Sequence, residues 1–87
     1  MENLSFNKEL EFDISTEDYH WSGGELRATY HPLEVYLYGK NEQQLIVDLK
    51  LEILDLYDEL TNTDDSQLSP KLVEQKKHLL QIITKSN

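Results

Sequence analysis

Residues 4–14 place Leu4, Phe6, Leu10, Phe12 and Ile14 at even positions with Ser5, Glu9, Glu11 and Asp13 between them, the period-2 pattern of a strand that buries one face. Lys8 interrupts the series, which predicts a frayed arm followed by a strand from about residue 9. Ser22-Gly23-Gly24 separates residues 18–21 from residues 25–30. Consecutive glycines accept positive φ without steric cost, so this is a hairpin signal. The second strand sets Leu26, Ala28 and Tyr30 against Arg27 and Thr29, and His31-Pro32 ends it, since proline lacks the ladder donor and restrains its predecessor. A third strand over 33–38 sets Leu33, Val35 and Leu37 against Glu34, Tyr36 and Tyr38, and Gly39-Lys40 closes it.

The period then changes. Asn41 is a favoured N-cap, and Gln44 three residues on can complete a capping box. Ile46, Leu49, Ile53, Leu56 and Leu60 recur at helical spacing, with Leu45 and Tyr57 widening the stripe. Val47, Leu51 and Leu54 lie roughly 80–140° around the helix from Ile46 and need a partner of their own. A polar loop over 61–69 leads to a second helix at 70–84, with Ser69 as N-cap, Pro70 at the first helical position, and Leu68 and Val73 placed as a hydrophobic staple. The apolar stripe of that helix, Leu72, Val73, Leu79, Leu80, Ile82 and Ile83, is the natural cover for Val47, Leu51 and Leu54. The cover comes either from the same chain or from a neighbouring one. Leu72, Leu79, Leu80 and Ile83 are the expected contact residues on that side.

The fold class expected is α+β, in the order β-β-β-α-α. A three-stranded antiparallel sheet within residues 9–60 is covered by one amphipathic helix, and a C-terminal helix follows. With 87 residues, fifteen leucines and five isoleucines, the chain has the material for a single domain, near the lower size limit at which one core suffices. The outer sheet face is left uncovered, which predicts homodimerisation.

Composition narrows the chemistry. There is no cysteine, so disulfides, thiol catalysis and Cys-based zinc or iron–sulfur sites are excluded and a reducing, cytoplasmic setting is expected. No run of about 18 apolar residues exists, and the first 25 residues carry acids where a signal peptide would be basic and apolar. A membrane role is therefore not expected. Seventeen Asp and Glu against eight Lys and Arg give a net charge of −9, which disfavours phosphate-led nucleic-acid binding and points to a basic protein partner. The charge is uneven, because sixteen of the acids but only four of the bases fall in residues 1–65. Asp55, Asp58 and Glu59 crowd the end of the first helix, where the dipole is negative and carboxylates cost about 0.3–1 kcal/mol each. Lys76 and Lys77 are the expected internal counter-ions.

Catalytic signals are sparse. Glu17, Asp18 and His20 stand together before the Gly-Gly turn with His31 across the hairpin, and such ligands suit zinc, manganese or iron. A small metal-dependent hydrolase using these four residues is the alternative function. No HExxH or HxH spacing and no phosphate-binding glycine loop occurs, so no cofactor is expected and the reading is non-enzymatic. The aromatic residues carry more information. Tyr36 and Tyr38 lie opposite the core face of their strand, and Tyr19 and Trp21 share a face near the hairpin. Bordered by Glu11, Glu17 and Asp18, they make a candidate partner-binding patch, since aromatic anchors are enriched at binding hot spots.

The stretch from Gly24 to Leu60 resembles the HicB antitoxin family. The likeness is a strand at Gly24-Glu25-Leu26-Arg27-Ala28, a turn at His31-Pro32-Leu33, a strand from Val35 to Tyr38 ending in Gly39-Lys40-Asn41, and then an amphipathic helix from Glu42 through Leu60. The resemblance implies a sheet-and-helix module that binds a small basic ribonuclease toxin. It carries over neither a DNA-binding surface nor any catalytic residue.

Overall fold

The computed structural model of the chain describes residues 3–17 and 25–86. The residues fall into two compact units, one formed by Glu11–Glu52 and the other joining the residues up to Leu10 with those from Ile53 onward. The elements run β1 (Asn3–Phe6), β2 (Asp13–Glu17), β3 (Glu25–Tyr30), β4 (Val35–Gly39), α1 (Glu42–Thr61), α2 (Pro70–Ile82) and β5 (Ile83–Ser86). The α+β class is as expected from the sequence.

In the unit of Glu11–Glu52, β2, β3 and β4 form an antiparallel sheet in that order. The register pairs Ile14 with Ala28 and Ala28 with Leu37, so these three share the inner face. Ala28 and Tyr30 are buried there, and the Phe12 and Tyr30 rings meet at 5.7 Å between centroids, tilted by 57°. Leu45 at the start of α1 lies against Gly39, where an added Cβ would come within 3.3 Å of its Cδ1. Between β3 and β4 a 3-10 turn over His31–Leu33 replaces the expected extended start of the third strand. Pro32 suits the first turn of such a helix because its φ is preset. Glu34 then takes a left-handed conformation, φ 55° and ψ 37°, and donates its N–H to the His31 carbonyl at 3.1 Å. This turn leaves Leu33 only 2% exposed.

The other unit is built on β1 and β5, which pair antiparallel from Asn3↔Ser86 to Phe6↔Ile83. Asn7 ties them to the end of α2, its backbone N–H donating to the Ile82 carbonyl and its side-chain Nδ2 to the Gln81 carbonyl, both at 2.9 Å. Leu79, Ile82 and Ile83 are buried. Thr61 Oγ1, Asn62 Nδ2 and Thr63 Oγ1 donate to the carbonyls of Tyr57, Asp58 and Glu59 at 2.7, 2.8 and 2.9 Å. These side-chain bonds add to the backbone bonds at the helix end, where the Asp58 carbonyl also accepts the Asn62 N–H at 3.3 Å. Lys76 Nζ reaches the Thr63 carbonyl at 3.1 Å and Asp65 Oδ1 at 2.8 Å.

Several expectations are corrected. The extended segments make two sheets, one of two strands and one of three, where a single three-stranded sheet covered by the helix at 41–60 was expected. The arm before Lys8 is β1, not a frayed lead-in, and the second helix ends at Ile82 instead of residue 84. Periodicity marks a strand but not its partner, and Ile83 continues the apolar stripe of α2 so well that the helical pattern runs on into its β-branched neighbour Thr84. The stripe of α1 keeps its expected direction, but its flanking members Leu45 and Tyr57 are buried more deeply than Ile46 and Leu56. Leu45, Leu49, Ile53, Tyr57 and Leu60 are buried, whereas Ile46 and Leu56 are intermediate. Lys76 pairs with Asp65 and Lys77 with Glu74, so the expected pairing of these lysines with Asp55, Asp58 and Glu59 is not made. Side-chain hydrogen bonds from the Thr61–Thr63 segment serve that helix end instead.

The caps were legible. Asn41 Oδ1 accepts the Gln44 N–H at 3.0 Å and Ser69 Oγ accepts the Leu72 N–H at 3.3 Å. Gln44 does not complete the capping box, because its Nε2 donates to Asp48 Oδ1 at 2.9 Å one turn along.

Candidate functional site

The outer face of the three-stranded sheet follows from the register. Asp13 pairs with Thr29 and Thr29 with Tyr36, Ser15 with Arg27 and Arg27 with Tyr38, and Glu17 with Glu25. Residues directly opposite one another share a face, so from β2 to β4 one row runs Asp13, Thr29, Tyr36, the next Ser15, Arg27, Tyr38, and the last pairs two acids, Glu17 and Glu25. Tyr36 and Tyr38 are 54% and 44% exposed. Their rings meet edge to face, with centroids 5.7 Å apart and planes at 88°, an arrangement that adds about 0.5–1.5 kcal/mol beyond area burial. The pair is therefore biased toward this packing while both rings remain about half exposed.

Charge surrounds it. Asp13 Oδ2 accepts a hydrogen bond from His31 Nε2 at 2.9 Å, with both side chains mostly exposed. A pair of that kind contributes about 0–1 kcal/mol, so it orients Asp13 more than it holds the fold. Glu11 is exposed nearby in sequence and Glu25 is half-buried. The unit of residues 11–52 as a whole contains nine acids and three bases.

The structure brings Tyr36 and Tyr38 together, as expected of alternate residues on one strand. Asp18, Tyr19, His20 and Trp21 lie outside the described residues, as does the Ser22-Gly23-Gly24 turn, and of Glu17 only the backbone is described. Alternation puts Arg27 opposite the core face, but its position beside Tyr38 depends on the strand register, which alternation does not contain. His31 pairs with Asp13, a residue the hydrolase alternative had not included. Among the described residues no three His, Asp or Glu side chains converge to hold a metal ion, and no helix is long and apolar enough to cross a membrane.

The residues expected to make helix contacts divide by exposure. Val47, Leu51 and Leu80 are 50%, 54% and 52% exposed, Leu79 and Ile83 are buried, and Leu54 and Leu72 are intermediate. Val47, Leu51 and Leu80 are thus large apolar side chains that stand about half exposed.

Among the described residues, two groups have displaced pKa values. Burial pushes the Tyr30 phenol up from its usual value. His78 is lowered, first by burial and then by the nearby Lys8 ammonium. No protein-family model matches the chain, and neither the curated proteins nor the solved structures contain a match to it.

Proposed function

We propose that this chain is a non-enzymatic, acidic protein-interaction module whose outer sheet face takes up a basic protein, in the role of a HicB-like antitoxin holding a small basic ribonuclease toxin. The observation that carries the reading is the Tyr36–Tyr38 pair, exposed and mutually packed on a face that also presents Asp13 and Arg27. Tyrosine and arginine are the residues enriched at hot spots. The acidic surround steers a cationic partner toward them, because long-range attraction raises the encounter rate.

The test is a pull-down from the source cells, followed by association kinetics with the recovered protein or with the product of the adjacent reading frame. Tyr36→Ala and Tyr38→Ala are expected to speed dissociation about tenfold or more, the effect of losing a hot-spot side chain. Reversing Glu11, Glu17 and Asp18 to lysine is expected to slow association, and the rate should fall as salt shortens the Debye length to about 3 Å at 1 M. Recovery of no protein partner, together with stoichiometric metal in the purified chain that is lost on His20→Ala, would overturn the reading in favour of a metal-dependent hydrolase.

A further inference from the structure

Helix α1 is apolar on two sides. Leu49 and Ile53 are fully buried, whereas Val47 and Leu51 are about half exposed and Leu54 is intermediate. At about 100° per residue, Val47, Leu51 and Leu54 fall within about 60° of one another, on the side away from Leu49 and Ile53. Their spacing of four and then three is that of a heptad seam, with Val47 and Leu54 at d and Leu51 at a. Lys50 then stands at g and Asp55 at e, one on each flank of the seam.

Neither flanking charge finds a counter-ion on its own helix. The residues three and four positions from Lys50 are Ile46, Val47, Ile53 and Leu54, and those around Asp55 are Leu51, Glu52, Asp58 and Glu59. Helical neighbours at those spacings are the ones a side chain can reach, so Lys50 faces only apolar groups and Asp55 only apolar or like-charged ones. Both are exposed, and among the described residues their side chains make no hydrogen bond or ion pair. A parallel second helix supplies what is missing, since g of one copy lies beside e of the next heptad in the other. Lys50 and Asp55 are five residues apart, which is that relation. An antiparallel pair would set like flanks together, Lys50 near its own copy and Asp48 near Asp55.

We propose that α1 pairs in parallel with α1 of a second copy of this chain along Val47, Leu51 and Leu54, with Lys50 of each copy against Asp55 of the other. The seam is short, bounded by Gln44 and Asp58 at the next a positions, and buries less than the roughly 1,200 Å² of a tight interface. Association is accordingly a property of concentrated protein.

Sedimentation equilibrium should show the mass rising from 10.2 kDa toward twice that value as concentration increases to about 1 mM, the range of a sub-standard interface. Leu51→Asp should hold the mass at one chain with an unchanged circular dichroism spectrum. Lys50→Asp or Asp55→Lys alone should weaken association about fivefold, because each disturbs two symmetry-related pairs, and the double exchange should restore it. With no cysteine in the chain, Val47→Cys reports the direction: mild oxidation should link two Val47→Cys copies. A mass that stays at one chain throughout overturns the proposal, as does a double exchange that fails to rescue. So does cross-linking confined to mixtures of Val47→Cys with Leu54→Cys, the result of an antiparallel pair.

Discussion

Replacing Glu34 tests the turn that sends the chain from β3 into β4. Glu34 is the non-glycine residue found at positive φ among the described residues, and an L side chain in the left-handed region costs roughly 1–2 kcal/mol from the crowding of Cβ against the following carbonyl. Glycine escapes that cost but loses about 0.4–1 kcal/mol more chain entropy on folding than alanine does. The useful comparison is therefore Glu34→Gly against Glu34→Ala, because both remove the carboxylate and its contacts and differ only in Cβ. Subtracting the two effects leaves glycine ahead by about 0.5–1 kcal/mol. In an ordinary helical position the order is reversed by about the same amount. Urea unfolding followed by circular dichroism should show a higher midpoint for Glu34→Gly than for Glu34→Ala, by about 0.3–0.8 M for slopes typical of small domains. The two slopes should agree. An alanine variant as stable as the glycine variant, or more so, would refute the claim that backbone strain is stored at this turn.

Two further outcomes follow from burial. Burial, and then the Lys8 ammonium, lower the pKa of His78, so the unfolded chain takes up its proton first as pH falls below about 6.5. The stability that neutral His78 contributes is present above that pH and is lost as pH drops through its folded value. Urea midpoints of the wild type and His78→Gln, measured from pH 8 to pH 5, should diverge in slope across this window, and parallel curves would count against the assignment. The adjacent pair Leu79 and Leu80, at 0% and 52% exposure, should respond oppositely to truncation. Leu79→Ala is expected to cost about 2–5 kcal/mol by opening a cavity, and Leu80→Ala to stay within about 0.5 kcal/mol. Equal losses in thermal or urea unfolding would place the core elsewhere.

What could be read from the residues depended on whether the signal was local. Asn41 and Ser69 cap their helices because capping is decided within four residues of the chain. The alternation of Val35 and Leu37 with Tyr36 and Tyr38 likewise predicts which side chains are exposed on β4. Partner choice is not local. Leu4 and Phe6 look like the start of the strand that contains Leu10, Phe12 and Ile14, yet they pair with a segment near residue 84. Ile83 and Thr84 form that segment, but the stripe of α2 runs into them without a break. Lys76 offers the converse case: its attraction to an acidic helix end is sound electrostatics, but the fold of the following loop puts the Thr63 carbonyl and Asp65 Oδ1 within reach of its Nζ instead. The candidate site was half legible for the same reason, since Tyr36 and Tyr38 were assigned together from one strand while Arg27 joins them only through the register of two.

The pairing of β1 with β5 sets an order of events in the making of the molecule. Phe6 meets Ile83 across 77 positions of chain, whereas Glu17 meets Glu25 across eight. Closing the longer loop costs about 2 kcal/mol more, by the logarithmic dependence of closure entropy on length. On a ribosome adding about 5–20 residues per second, β1 leaves the tunnel roughly 4–16 s before its partner does. Throughout that interval its backbone donors and acceptors, together with Leu4 and Phe6, stand without the strand that will cover them. During synthesis β1 is thus open to capture by a chaperone or by another nascent chain, and it becomes protected from hydrogen exchange only when Ile83–Ser86 arrives.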